Sequence, residues 1–283
     1  MAMANDSAQS SEARATTVAA ICVRNLRVNY GEREILHGIS FDVQAGETLV
    51  ILGGSGSGKS TLLRTLVGLE HPSSGEVLVE GENFFKISEK ERDALRLRMG
   101  MSFQSGALFG SMTVGENVAL PLKENTALDP STIEIMVRLK LDQVGLSGFE
   151  NYSPSQLSGG MKKRAAIARA LAMDPEILFF DEPSAGLDPI IAAGIDQLIR
   201  KLKEAFHITI LVVTHELASA FLIADRMILI DKGNIVANGT PEELKASQHP
   251  RVRQFLDRVP EAELTGEIDY LQMLTGEIAT PRK

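Results

Sequence analysis

The sequence predicts an α/β fold: a mainly parallel sheet covered by helices, preceded by a small antiparallel β-region and interrupted by a helical insertion. Three observations predict it. Strand-sized runs dominate residues 18–52, ahead of the first helical pattern. Between about residues 106 and 174 the β-signal disappears and helical periodicity replaces it. From residue 177 to residue 230 apolar strands alternate with amphipathic helices, the order that builds a parallel sheet.

Each element follows from its local pattern. Residues 18–30 read as a strand, 31–33 as a turn, and 35–43 as a second, partly alternating strand ended by Ala45-Gly46. Residues 48–52 form a short apolar run that stops at glycines, which predicts a buried strand. From 59 to 69 the positions Leu62, Leu63, Leu66, Val67 and Leu69 mark one helical face. Residues 75–80 alternate as a strand, and 99–103 is a further strand. Helices are expected over 114–120, 132–144 and 159–173, with Pro121 and Pro130 as breakers. Strand 177–181, helix 190–205, strand 209–214, helix 216–223 and strand 226–230 follow. Residues 241–248 and 251–259 read as short helices. The Ala/Ser-biased residues 1–17 predict a disordered leader. Beyond Pro260 the chain is polar, with a weak repeat (264–268 and 274–278) to which no role attaches.

Composition excludes several classes. Of 283 residues, 44% are hydrophobic and 23% charged, ample for a globular core and unlike a disordered chain. The net charge of −8 argues against a broad nucleic-acid footprint. The single cysteine, Cys22, forms no disulfide within the chain and no cysteine-based zinc site. It is expected to be a small buried hydrophobe in a reducing compartment. No apolar run approaches the ~18–20 residues of a membrane span, and the amino terminus lacks the pattern of a secretory signal. Any work at a membrane would go through partners.

The strongest motif is Gly53-Gly54-Ser55-Gly56-Ser57-Gly58-Lys59-Ser60-Thr61, a G-x-x-x-x-G-K-[ST] loop between a strand and a helix. Its glycines let backbone N–H groups turn inward on phosphate oxygens, and the following helix adds the positive end of its dipole. Lys59 can reach the β- and γ-phosphates of a bound nucleotide, and the Ser60 hydroxyl suits Mg²⁺, which prefers hard oxygen ligands. The apolar strand Ile177-Leu178-Phe179-Phe180 ends in Asp181 and Glu182. Parallel sheets bind ligands at strand C-termini, so Asp181 is expected to hold Mg²⁺, through water, and Glu182 to polarise an attacking water. Leu157-Ser158-Gly159-Gly160-Met161 opens a helix containing Lys162, Lys163, Arg164 and Arg169. Ser158 is a plausible N-cap. Capping does not explain two glycines in a first turn, where each costs roughly 1 kcal/mol against alanine.

These motifs, with Ser184-Ala185-Gly186-Leu187-Asp188 and a lone His215 after a strand, occur in an order that resembles the ATP-binding cassette (ABC) ATPases, from about residue 20 to residue 240. The resemblance implies a RecA-like parallel core, an N-terminal antiparallel β-subdomain and a helical subdomain at about 105–174. The ATPase domain would run from 18 to 245 and a C-terminal extension from 246 to 283. It implies that Tyr30 stacks on adenine and that Gln104 links Mg²⁺ and water to the helical subdomain. It also implies that Glu182 is the catalytic base and that His215 contacts the γ-phosphate. Two cassettes would close head-to-tail over two ATP, with Ser158, Gly159 and Gly160 of one facing the nucleotide held by Lys59 of the other, and Asp188 at the interface. Met161 stands where many members carry glutamine, and a thioether cannot reproduce that amide's polar contacts.

The segment Phe103-Gln104-Ser105-Gly106-Ala107-Leu108-Phe109 and the signature ending in Met161-Lys162-Lys163-Arg164 resemble the subgroup that serves MCE-domain lipid transporters. So does Pro250-Arg251-Val252-Arg253-Gln254-Phe255-Leu256, a segment that could dock on the opposite cassette. That resemblance implies a permease dimer and an MCE-domain lipid-binding subunit as partners, a place on the cytoplasmic face of the inner membrane, and phospholipid as cargo. The alternative within transport is a cassette for uptake of a small polar solute. A non-transport cassette acting on nucleic acid or the ribosome is disfavoured: fewer than one hundred residues separate Lys59 from Ser158, with no sustained heptads, and the chain carries one cassette.

Overall fold

The structure, a computed structural model, describes residues 19–259. The expected leader at 1–17 and the repeat beyond Pro260 lie outside the described residues. The antiparallel region comprises β1 (Ala19–Tyr30), β2 (Arg33–Gln44), β4 (Ser74–Val79) and β5 (Glu82–Asn83), in the order β2-β1-β4-β5. Between its second and third strands the chain makes β3 (Thr48–Leu52) and α1 (Lys59–Leu66) of the main sheet. After α2 (Glu89–Leu97) and β6 (Met99–Ser102) come the helices α3 (Val114–Asn125), α4 (Pro130–Gln143) and α5 (Gly159–Ala170). Then β7 (Ile177–Asp181), α6 (Pro189–Phe206), β8 (Thr209–Thr214), α7 (Leu217–Ile223), β9 (Arg226–Asp231) and β10 (Asn234–Gly239) alternate. The described chain closes with α8 (Pro241–Ala246) and α9 (Pro250–Leu256). The main sheet has the order β10-β9-β3-β8-β7-β6. Its central pairs are parallel, and only β10 runs antiparallel to its neighbour.

The alternation of side chains along these strands divides the core in two. Val50, Leu52, Leu178, Phe180, Ile210 and Val212 face a cluster with the helices of the insertion and α6. Leu49, Ile51, Phe179, Leu211 and Val213 face a second cluster with α1 and the antiparallel sheet. A sheet covered on both faces needs nearly continuous apolar strands, and β3 and β8 are buried at every position. The same parity carries one step past Phe179 and turns Asp181 toward the α1 side.

The differences from the sequence expectations have physical causes. Pro121 does not break its helix: α3 runs on to Asn125, because the buried stripe Val114, Val118 and Leu122 continues past the proline and offsets one lost backbone bond. Pro130 starts α4 instead of ending a segment, with Asp129 as its cap. Helix α2 buries only Leu95, so its apolar face is too thin to read. Its legible signal was the capping box, in which the Ser88 hydroxyl accepts from the Glu91 N–H (3.3 Å) and the Glu91 carboxylate from the Ser88 N–H (2.8 Å). Cys22 is not fully buried. It lies half-exposed beside Asp42, and partial burial first, then that carboxylate, push its thiol up to about 11.

Candidate functional site

Residues 53–58 leave β3 and enter α1 through two glycines in left-handed backbone, Gly56 (φ 74°) and Gly58 (φ 104°). Gly53 is required for space: a Cβ there would lie 2.3 Å from the Ile230 carbonyl oxygen. The loop is braced from behind, where the Gly233 N–H donates to the Ser57 carbonyl (3.0 Å) from the β9–β10 turn. Lys59 is 8% exposed, and its ammonium donates to the Gly53 and Gly54 carbonyls, each at 2.9 Å. Burial holds its pKa down, and the nearby Glu182 and Asp181 charges oppose that shift.

Glu182 follows β7 with φ 48°, a costly conformation for a residue with a Cβ. Its N–H donates to the Val213 carbonyl (2.9 Å), which extends the sheet pairing one residue beyond the strand. Its buried carboxylate accepts from the Thr214 hydroxyl (2.9 Å) and, through Oε1, from Nδ1 of His215 (2.8 Å). A carboxylate can only accept, so Nδ1 carries the proton and Nε2 is left toward solvent. Asp181 points its Oδ1 into buried space with no partner among the described residues. Burial first, and the Glu182 charge second, raise its pKa. An orphaned, buried carboxylate oxygen on Asp181 and the exposed hydroxyl of Ser60 are hard-oxygen donors of the kind Mg²⁺ takes.

One cleft of about 840 Å³ collects Gly54, Ser55, Gly56, Ser57, Lys59, Ser60, Gln104, Glu182 and His215. Gly53, Gly58, Thr61 and Asp181 do not line it, although each adjoins a lining residue in the chain. Tyr30 stands apart, 43% exposed at the end of β1, its hydroxyl donating to Glu70 (3.3 Å). The residues expected to act in trans lie elsewhere in this chain. Ser158 and Gly159 are exposed at the start of α5, followed by buried Gly160 and half-buried Met161. The Ser158 hydroxyl caps α5 (3.3 Å from the Met161 N–H). Asp188 caps α6, accepting from the Ile190 and Ile191 N–H groups at 3.1 and 3.0 Å.

Two features escaped sequence reasoning. Arg251, Gln254, Phe255 and Arg258, in and just after α9, line the same cleft as the phosphate loop. Lys163 reaches from α5 between two loops of the site, donating to the carbonyls of Gln104 (2.5 Å) and Glu182 (2.9 Å). Neither contact has a local sequence signal, since both join segments distant in the chain. A second cleft, of about 540 Å³, lies at the opposite ends of the strands beside Lys140, Asp174, Glu176 and His207, and contains none of the predicted site residues.

A family model described as ABC transporter matches residues 36–185, across the phosphate loop, the signature segment and the Asp181-Glu182 pair. The chain belongs to the ABC transporter family. It is an ATP-binding, ATP-hydrolysing cassette. It is 44% identical over 234 residues to the intermembrane phospholipid transport system ATP-binding protein MlaF of Haemophilus influenzae, covering 83% of this chain and 89% of that protein. MlaF of Escherichia coli K12 is 44% identical over 237 residues, covering 84% and 88%. A protein of Mycobacterium leprae named as a probable ribonucleotide transport ATP-binding protein, mkl, is 43% identical over 238 residues, covering 84% of this chain and 69% of that one. Among solved structures, the dimeric, post-hydrolysis ATP-binding cassette MJ0796 bound to ADP and Pi superposes with a TM-score of 0.72 at 33% identity, covering 78% of this cassette and 98% of that chain. Among the described residues no helix is long and apolar enough to cross a membrane.

Proposed function

We propose that this cassette energises phospholipid transport between the inner and outer membranes, seated on a multi-span permease dimer at the cytoplasmic face of the inner membrane with an MCE-domain lipid-binding subunit. The similarity that carries this reading is the 44% identity to MlaF over most of both chains. The Ser105-Gly106-Ala107-Leu108-Phe109 and Met161-Lys162-Lys163-Arg164 patterns support it. Two copies, each with an ATPase body at 18–245 and a C-terminal extension at 246–283, close head-to-tail over two ATP.

The chemistry follows from the chain's own groups. Tyr30 stacks on adenine. The inward N–H groups of residues 53–58, the α1 dipole and Lys59 neutralise the phosphates. Glu182, held by Thr214 and His215, accepts the proton of a water aligned behind the γ-phosphate. With Nδ1 on Glu182, His215 can meet a γ-phosphate oxygen only as a donor, through a second ring proton on Nε2. Ser60, Asp181 and Gln104 would hold Mg²⁺, which would supply charge neutralisation for the phosphates. The second copy's Ser158, Gly159, Gly160 and Met161 close over the nucleotide, with Asp188 at the joint. Catalysis rests on positioning and charge, and hydrolysis reopens the pair.

The test of the cargo is a mild-detergent pulldown of the tagged chain with mass spectrometry of proteins and lipids. A permease, an MCE subunit and bound phospholipid are expected. A permease with a solute-binding protein and no MCE subunit moves the cargo to a small polar solute. The test of the site is Glu182→Gln, expected to leave ATP binding intact and to lower turnover at least ~10²-fold. Normal turnover in that variant removes Glu182 from the base role.

A further inference from the structure

A buried ammonium needs a reason to be where it is, because desolvating a charge is costly unless it is well bonded. Lys163 is 8% exposed, and burial holds its pKa below the ordinary lysine value. No carboxylate lies in ion-pair contact with it among the described residues. Its bonds go to two backbone carbonyls, those of Gln104 and Glu182. One nitrogen atom therefore ties together the loop after β6, the strained residue after β7, and α5, which begins at the exposed Ser158-Gly159 pair.

The surrounding contacts show that α5 holds the loop after β6 as a unit. Arg169 donates to the Ala107 carbonyl (2.8 Å) and the Gly106 carbonyl (3.0 Å), and its guanidinium sits over the Phe109 ring. Arg164 donates to the Val144 carbonyl (2.8 Å), anchoring the same helix to the end of α4. Of these cations only Lys163 reaches Glu182. It meets Glu182 at its carbonyl, next to the Cα whose φ of 48° sets the residue from which the carboxylate reaches Thr214 and His215. A shift of α5 along its axis would pull on that peptide directly.

We infer that Lys163 is a positioning residue: it locks the Glu182 backbone and the Gln104 loop to α5, so that the aim of the carboxylate in one cassette depends on the seating of the helix that meets the partner's nucleotide. This rests on the role proposed for Glu182. Lys163 touches no reacting atom. Its contribution is to the geometry of the water-activating carboxylate and to the communication between the two ATP sites.

The experiment is a double-mutant cycle in the full-length chain within its assembled transporter, reading kcat, KM for ATP, and affinity for trinitrophenyl-ATP. Lys163→Met, which keeps the stem and removes the donor, is expected to lower kcat about tenfold or more while nucleotide affinity stays within about twofold. In a Glu182→Gln background the same change should lower the residual turnover less than about twofold, because its effect passes through that carboxylate. Lys163→Gln, whose shorter amide reaches one carbonyl at most, should fall between, and it carries the test if Lys163→Met does not fold. Wild-type kcat in either variant overturns the inference, and so does an equal fold-loss in both backgrounds. Turnover that survives Glu182→Gln removes the underlying reading as well, whereas turnover lost there but kept in Lys163→Met removes this inference alone.

Discussion

Replacing Asp181 with asparagine should make the nucleotide-free cassette more stable while disabling its site. Asp181 Oδ1 is buried without a partner, and burial raises the carboxyl pKa above its ordinary 3.8. The sign follows from linkage. The folded chain binds that proton more tightly than the unfolded chain, so stability is lost as pH rises from the ordinary value through the raised one, and at neutral pH the ionised group opposes folding. An unsatisfied buried polar atom costs about 1–3 kcal/mol. The amide retains part of that penalty and sheds the charge, leaving a net gain of about 1 kcal/mol. For a chain of this size that raises Tm by about 2–4 °C. Thermal unfolding followed by circular dichroism, without nucleotide and with chelator, measures it near neutral pH and again at about pH 5, where the difference should shrink. With saturating Mg²⁺-ATP the order should reverse. Ligand at a hundredfold its Kd adds about 2.7 kcal/mol to a chain that binds it, and only the aspartate chain binds fully. An asparagine variant that melts at or below the wild-type temperature at neutral pH would refute the argument that burial of the Asp181 charge outweighs the attraction of Arg64, Lys163 and Lys59.

Three further outcomes are expected. Gly53→Ala forces a methyl to 2.3 Å from the Ile230 carbonyl, where backbone cannot yield. It should cost about 1–3 kcal/mol in urea unfolding and weaken trinitrophenyl-ATP binding, and an unchanged loop would show that β9 and the phosphate loop move freely past one another. Met161→Gln should bind ATP no worse and dimerise more tightly with ATP in a Glu182→Gln background, read by light scattering; looser pairing contradicts a trans polar contact at this position. Glu47→Ala strips the carboxylate that Arg226 meets at 2.6 Å and that accepts from the Gln44 N–H at 2.7 Å. Because Arg226 is partly exposed, the loss should be about 2 kcal/mol, below the range for a fully buried pair. A loss near zero would mean that solvent replaces the carboxylate.

The sequence by itself determined the chemistry. Phosphate-loop glycines, a lysine, and two carboxylates at the end of an apolar strand are local patterns, because nests and strand ends are made by neighbours in the chain. It also determined the order of α and β elements wherever an apolar face was wide enough to show its period. Only the tertiary structure decided what depends on segments far apart. Pro121 stays inside α3 because the stripe it interrupts is buried by other helices. β10 forms because β9 offers an unpaired edge, although 234–239 shows no clean alternation. The Glu182 carboxylate is aimed by Thr214 and His215 from another strand, and its peptide is held by Lys163 from α5. α9 borders the phosphate loop through Arg251 and Phe255. Periodicity reports which face of an element is buried, and it carries no information about which distant carbonyl a buried ammonium will find.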